Sequence, residues 1–198
     1  MKKLVILPLF LMAFLANAQF KFGAGAGLNF SNLRGEVNKG TDDYEITGIT
    51  GFNIGACMEI KAPAILGVEA DVLFSTKGAN IRYVYAQSDP TLSPIVLDAD
   101  QKISYIDIPV VVKLYAAKVL SLQLGVQYSM LLGANYNDRG NKDSFTSSDV
   151  ALVTGLGLDA SLVHFSCRYN YGVSNVLEKG GELKNGTLSL TVGVWLKK

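Results

Sequence analysis

The sequence predicts an all-β fold: eight antiparallel strands closed into an up-and-down transmembrane β-barrel. Two observations predict it. Apolar and polar residues alternate with a period of two through eight segments, each about ten residues or longer, which is the mark of a strand with two unlike faces. The connections alternate between long polar loops and tight turns, so the long loops gather at one end and both termini at the other. Length supports the reading, because tilted strands of roughly 9–11 residues cross a bilayer core whereas soluble strands are nearer five or six.

The first eighteen residues read differently. Lys2 and Lys3 form a short basic n-region, "LVILPLFLMAFL" is an apolar run, and Ala16-Asn17-Ala18 is a small-x-small cleavage site. Residues 1–18 are therefore expected to be a secretory signal peptide and 19–198 the barrel domain. The alternative is an N-terminal anchor, against which stand the short apolar run and the well-formed cleavage site. No Cys follows that site, which argues against a lipoprotein signal. Beyond residue 18 no run of 18 apolar residues occurs, so no transmembrane helix is expected. Losing Lys2 and Lys3 takes the formal charge from +1 to −1, and no basic face for nucleic acid is legible.

The strands follow in order. In the first, Phe20, Phe22, Ala24, Ala26, Leu28 and Phe30 oppose Lys21, Gly23, Gly25, Gly27 and Asn29. The second sets Phe52, Ile54, Ala56, Met58 and Ile60 against Asn53, Gly55, Cys57 and Glu59. The third sets Leu66 through Phe74 against Gly67, Glu69, Asp71 and Ser75. The fourth, "YIDIPVVVKLY", sets Ile106, Ile108, Val110, Val112 and Leu114 against Asp107, Pro109, Lys113 and Tyr115. Pro109 cannot donate to a ladder and a closed barrel has no edge to hide it, so a bulge or a missing ladder bond is expected there. In the fifth, Leu120 through Leu132 oppose Ser121, Gln123, Gly125, Gln127 and Ser129. The sixth sets Leu152, Leu156 and Leu158 against Gly155, Gly157 and Asp159. The seventh sets Val163, Phe165, Tyr169, Tyr171 and Val173 against His164, Ser166, Arg168, Asn170 and Gly172. The eighth sets Leu188, Leu190, Val192, Val194 and Leu196 against Thr187, Ser189, Thr191 and Gly193.

The long connections are "SNLRGEVNKGTDDYE", "KGANIRYVYAQSDPTLSPIVLDADQ", "NYNDRGNKDSFTSSD" and "SNVLEKGGELKNG"; the tight ones lie near "KAPA", "AAK" and "DASL". Even strand number, short periplasmic turns and long extracellular loops characterise bacterial outer-membrane barrels. A soluble lipocalin-like barrel is the rival. Apolar-out is favoured because the polar face is rich in Gly, Ser, Asn and Gln, its charges have both signs, and the apolar face ends in Phe20, Phe30, Tyr128 and Tyr171.

"GAGAGLNFSNL", "GVEADVLFSTKGA", "YIDIPVVVKLY" and "RYNYGVSNV" together resemble the PorT-type outer-membrane β-barrel family of Bacteroidetes, small barrels of the OmpA/OmpX kind. The most specific elements are Tyr105-x-Asp107-x-Pro109 with Lys113, and Gly27 to Ser31. The resemblance implies an outer-membrane location and a functionally diverse family whose founding member is implicated in type IX secretion.

A lumen of eight strands is just wide enough for side chains to fill it. Charges inside must pair. Lys21, Glu59, Glu69, Asp71, Asp107, Lys113, Asp159 and Arg168 are therefore expected to form a salt-bridge network in a plugged interior; an ion or proton path is the alternative. His164 lies on the same polar parity without a second ligand at metal spacing, and Ser166 has no ordered acid beside it. No metal, cofactor or catalytic site is expected. Cys57 points inward and Cys167 outward on strands that are not neighbours, so two free thiols are expected despite export. Tyr44, Tyr83, Tyr85, Tyr136 and Phe145 are candidate surface contacts, or else strand extensions; "ANIRYVYAQ" favours an extended hairpin with "SPIVLDADQ".

The reading is a monomeric barrel in outer-membrane lipid, not an enzyme, whose loops face the exterior and whose termini face the periplasm. It acts as a structural or interaction protein, with an envelope or type IX secretion assembly as the partner class; the alternative is a small ion or solute channel.

Overall fold

The computed structural model describes residues 19–37, 43–62, 65–85, 95–116, 119–136, 139–140, 146–176 and 181–197. Residues 1–18, read as a signal peptide, and Phe145 lie outside them. Eight long strands follow in chain order: β1 (Gln19–Val37), β2 (Asp43–Lys61), β3 (Leu66–Tyr85), β4 (Ile95–Tyr115), β5 (Leu120–Tyr136), β6 (Ser148–Ala160), β7 (Val163–Gly172) and β8 (Gly181–Lys197). A two-residue ladder at Arg139–Gly140 extends the end of β5. Each strand pairs antiparallel with its chain neighbours, and β1 pairs with β8, so the sheet closes into a barrel.

Parity decides what faces where. Outward Leu124 is 58% exposed and Ile54 53%, whereas inward Glu59 is fully buried and Lys113 1% exposed. Water would not tolerate so continuous an apolar exterior on a soluble monomer. In hydrocarbon it is the required surface, because backbone polar groups close onto one another within the barrel.

Most strands outrun their alternating segments. β1 continues to Val37 and β2 begins at Asp43, so only 38–42 separates them. β3 runs through Tyr85 and pairs with β4 from Ile95; this is the extended hairpin. Past the apolar belt the outward face no longer meets hydrocarbon, so alternation fades while the ladder continues.

Two irregularities carry structural consequences. The β2–β3 register shifts between Gly48 and Asn53, a bulge that unpairs backbone groups. Side chains of β1 reach across β2 to satisfy them. Asn29 Nδ2 donates to the Phe52 and Thr76 carbonyls, each at 3.2 Å. Ser31 Oγ accepts from Gly78 N at 3.0 Å and donates to Gly78 O at 3.1 Å. Gly78 has φ 149°, a conformation that L side chains rarely adopt, and a Cβ there would strike the Gln101 carbonyl. Asn29 and Ser31 thus staple β1 to β3.

Pro109 is the second. The β3–β4 ladder passes from Ala70↔Val110 to Leu73↔Asp107 without change of register, leaving Pro109 and Ile108 without partners on that side. On the other side Pro109 still lies opposite Gln127. The expected missing bond is therefore confined to one seam.

The lumen is not polar throughout. Towards the long-loop end Leu33, Ala79, Ile81, Ile103, Tyr105, Ala134, Val176 and Leu183 form a buried apolar cluster. The expectation of a polar lumen is corrected there: the main ion-pair network occupies the short-turn half, and this plug lies towards the long loops.

Hydrogen-bond closure at every seam resists detergent. The folded protein is expected to migrate faster than its boiled form on a dodecyl sulfate gel, and recovery as a soluble periplasmic species would contradict the barrel's orientation of faces.

Candidate functional site

The lumen site begins with a sequence problem. Glu59 of β2 lies directly opposite Glu69 of β3, and Asp71 follows on the same face. Like charges directly opposite repel, and burial removes the water that would screen them. The fold answers with three cations from other strands.

Lys113 of β4 is the hub. Its Nζ lies 2.8 Å from Glu69 Oε2, 3.0 Å from Asp159 Oδ2 and 3.6 Å from Glu59 Oε2. Arg168 of β7 crosses the lumen with a forked grip: Nη1 meets Asp71 Oδ2 at 2.6 Å, Nη2 meets Glu69 Oε1, and Nε donates to Gln123 Oε1 at 2.6 Å. Lys21 of β1 adds a looser pair with Glu59 at 3.4 Å. Neutral donors complete the acids. Tyr115 OH reaches Asp159 Oδ2 at 2.7 Å and also Glu59, and Trp195 Nε1 donates to Asp159 Oδ1 at 3.3 Å.

Seven of the eight charges named from sequence meet here: Lys21, Glu59, Glu69, Asp71, Lys113, Asp159 and Arg168. Asp107 is buried too but pairs elsewhere, with Lys77 at 2.7 Å. Lys77 is not among the eight because the third alternating segment, as read from the sequence, ends at Ser75; continuing the odd parity by one step finds it. Trp195 was missed as well. It sits between Val194 and Leu196 on the inward parity, and its ring packs on His164 at 4.3 Å.

Above the ions lies an amide and hydroxyl layer. Asn53 Nδ2 donates to Asn29 Oδ1 at 2.7 Å, Ser189 Oγ to the same oxygen at 2.9 Å, and Asn29 Nδ2 to Ser75 Oγ at 2.8 Å. Asn29, Asn53, Ser75, Asp107, Arg168 and Ser189 line a void of about 10 Å³, room for about one water. Higher still, Asn185 and Ser174 donate to the Asp149 carboxylate at 2.7 and 2.5 Å.

The remaining candidates are placed as follows. His164 is buried beside Cys57, with Nε2 3.9 Å from Sγ, and Ser166 makes no hydrogen bond to it among the described residues. No grouping of three His, Cys, Asp or Glu side chains that could hold a metal occurs among the described residues. Cys57 is a buried free thiol and Cys167 an exposed one. Tyr44, Tyr83, Tyr85 and Tyr136 are strand residues in the rim extensions: Tyr44 lies opposite Tyr83, Tyr85 opposite Ile95 and Tyr136 opposite Gln101.

Comparison with known proteins agrees with this architecture. Residues 16–178 match the family model described as outer membrane protein beta-barrel domain. No curated protein matches the chain. Among solved structures, Neisserial surface protein A is similar at 14% identity with a TM-score of 0.57, covering 87% of this chain and 96% of its own. The attachment invasion locus protein Ail of Yersinia pestis is similar in complex with the heparin analogue sucrose octasulfate, at 16% identity and a TM-score of 0.51, and alone at 15% and 0.50; each comparison covers 90% of this chain and 99% of Ail. At these identities the likeness is one of fold.

Removing one partner of a buried ion pair strands the other. Arg168→Met is expected to cost about 3–5 kcal/mol in reversible urea unfolding from lipid vesicles. The exposed Arg82–Glu45 pair, 3.9 Å apart, is the control, and Arg82→Gln is expected to cost about 1 kcal/mol or less.

Proposed function

Because the chain belongs to the outer membrane protein β-barrel domain family, we propose that it is a closed, monomeric, non-enzymatic barrel that presents its long-loop end at the cell surface to a protein partner. The observation that carries the reading is the filled lumen. The ion-pair network blocks the short-turn half, the amide layer follows, and the apolar plug blocks the rest. Among the described residues, these three layers leave a hydrated ion no continuous wet path. The barrel then serves as a rigid anchor, and the features left to act are those at its rim.

The rim supports that role. β2, β3 and β4 stand beyond the apolar belt as a paired wall, with Tyr44 opposite Tyr83. Aromatic residues at the rim of paired strands suit recognition of another protein. The resemblance to PorT-type barrels of Bacteroidetes makes an envelope or type IX secretion assembly the first partner class to test. Short turns and both termini then face the periplasm, which a cleaved leader ahead of Gln19 would deliver.

Planar-bilayer recording of the purified protein tests the reading. No steady single-channel steps are expected. Reproducible steps that scale with ion size would establish the channel instead.

A further inference from the structure

We infer that the outer wall carries a binding site for the phosphate of an anionic lipid headgroup, built on Arg34 and Lys184 at the long-loop edge of the apolar belt. The observation is a register conflict. Arg34 of β1 lies directly opposite Lys184 of β8, and both stand on the outward parity, flanked by inward Leu33, Leu183 and Asn185. Side chains directly opposite on one face have Cβ atoms roughly 4.5–5.5 Å apart, so two cations there repel. Among the side chains described, no carboxylate pairs with either.

The surroundings hold Arg34 in place rather than letting it escape into water. Its guanidinium lies across Gly186, where a Cβ would collide with Nε. It packs over the Tyr171 ring at 3.8 Å and donates from Nη2 to the Asn185 carbonyl at 3.0 Å. Nε is buried without a hydrogen-bond partner. The next row outward sets Glu36 opposite Glu182, yet Arg34 lies the other way, towards the belt. The last large apolar pair, Phe30 opposite Leu188, is two rows below. A lipid-facing apolar band is about 25 Å tall and ends at the headgroups, so this fixed cation sits at headgroup level. An anion between Arg34 and Lys184 relieves the repulsion, and a lipid phosphate is the anion found at that depth. The outer leaflet is the source if the long-loop end faces outward, a point on which the inference rests on the proposed orientation.

The test is orientation-independent. The full barrel is reconstituted in phosphatidylcholine nanodiscs with a small fraction of diphosphorylated lipid A, and bound lipid A per barrel is read by native mass spectrometry. The double variant Arg34→Gln, Lys184→Gln is expected to lose about thirtyfold in affinity, read as lost occupancy at subsaturating lipid A, the scale of two cations acting on an anionic lipid. Gly186→Leu keeps every charge, fills the lane under the guanidinium and is expected to lose occupancy too. Heat-modified migration shows that each variant is folded. Equal occupancy in wild type and variants overturns the site. So does equal binding of dephosphorylated lipid A, and so does displacement by inorganic phosphate at matched concentration, which would make free phosphate the ligand. Stronger retention of phosphatidylglycerol than of lipid A would overturn the outer-leaflet source.

Discussion

A buried charge must find its partner inside the protein, and this barrel is arranged around that requirement. Closing β1 onto β8 satisfies the backbone in hydrocarbon. It also seals the inward face of every strand into a lumen only side chains can fill. Glu59, Glu69 and Asp71 on adjacent strands then become untenable unless Lys113 reaches in from neighbouring β4 and Arg168 from across the lumen. Correct closure is thus the condition for pairing, and pairing rewards correct closure. A slip of one residue would turn the whole set of charges of a strand into lipid.

The network is acid-rich. Glu59, Glu69, Asp71 and Asp159 outnumber Lys21, Lys113 and Arg168. Tyr115 and Trp195 make up the difference with neutral hydrogen bonds to Glu59 and Asp159. Aromatic rings also fill space that a lysine in their place would leave to water. The same device recurs at Asp149, held by Asn185 and Ser174 rather than by a cation. Charge and hydrogen-bond donors together leave the lumen occupied, which is why the proposed role falls on the rim.

Much of this was legible in the sequence, because a two-residue period in a membrane strand reports the facing of every side chain. Asp107, Lys113 and Arg168 could be placed inward on parity alone. Their partners could not be read so well. Asp107 was grouped with the main network, yet it pairs with Lys77, since distance along the barrel axis depends on stagger between strands, which parity does not encode. The apolar plug escaped notice for a related reason. Ile81, Ile103 and Leu183 lie where alternation had already faded into polar loop composition. The Gly27–Ser31 stretch was recognised as a signature, but its work, satisfying the β2 bulge through Asn29 and Ser31, depends on a break in another strand.

A double-mutant cycle on Lys113 and Glu69, measured by reversible unfolding from lipid vesicles, tests the central claim most directly. Lys113→Met and Glu69→Gln should each destabilise the barrel, and the double variant should lose less than the two together, by about 1 kcal/mol or more of coupling. Additivity within about 0.5 kcal/mol would show that the two charges act independently, and would contradict a lumen held closed by their pairing.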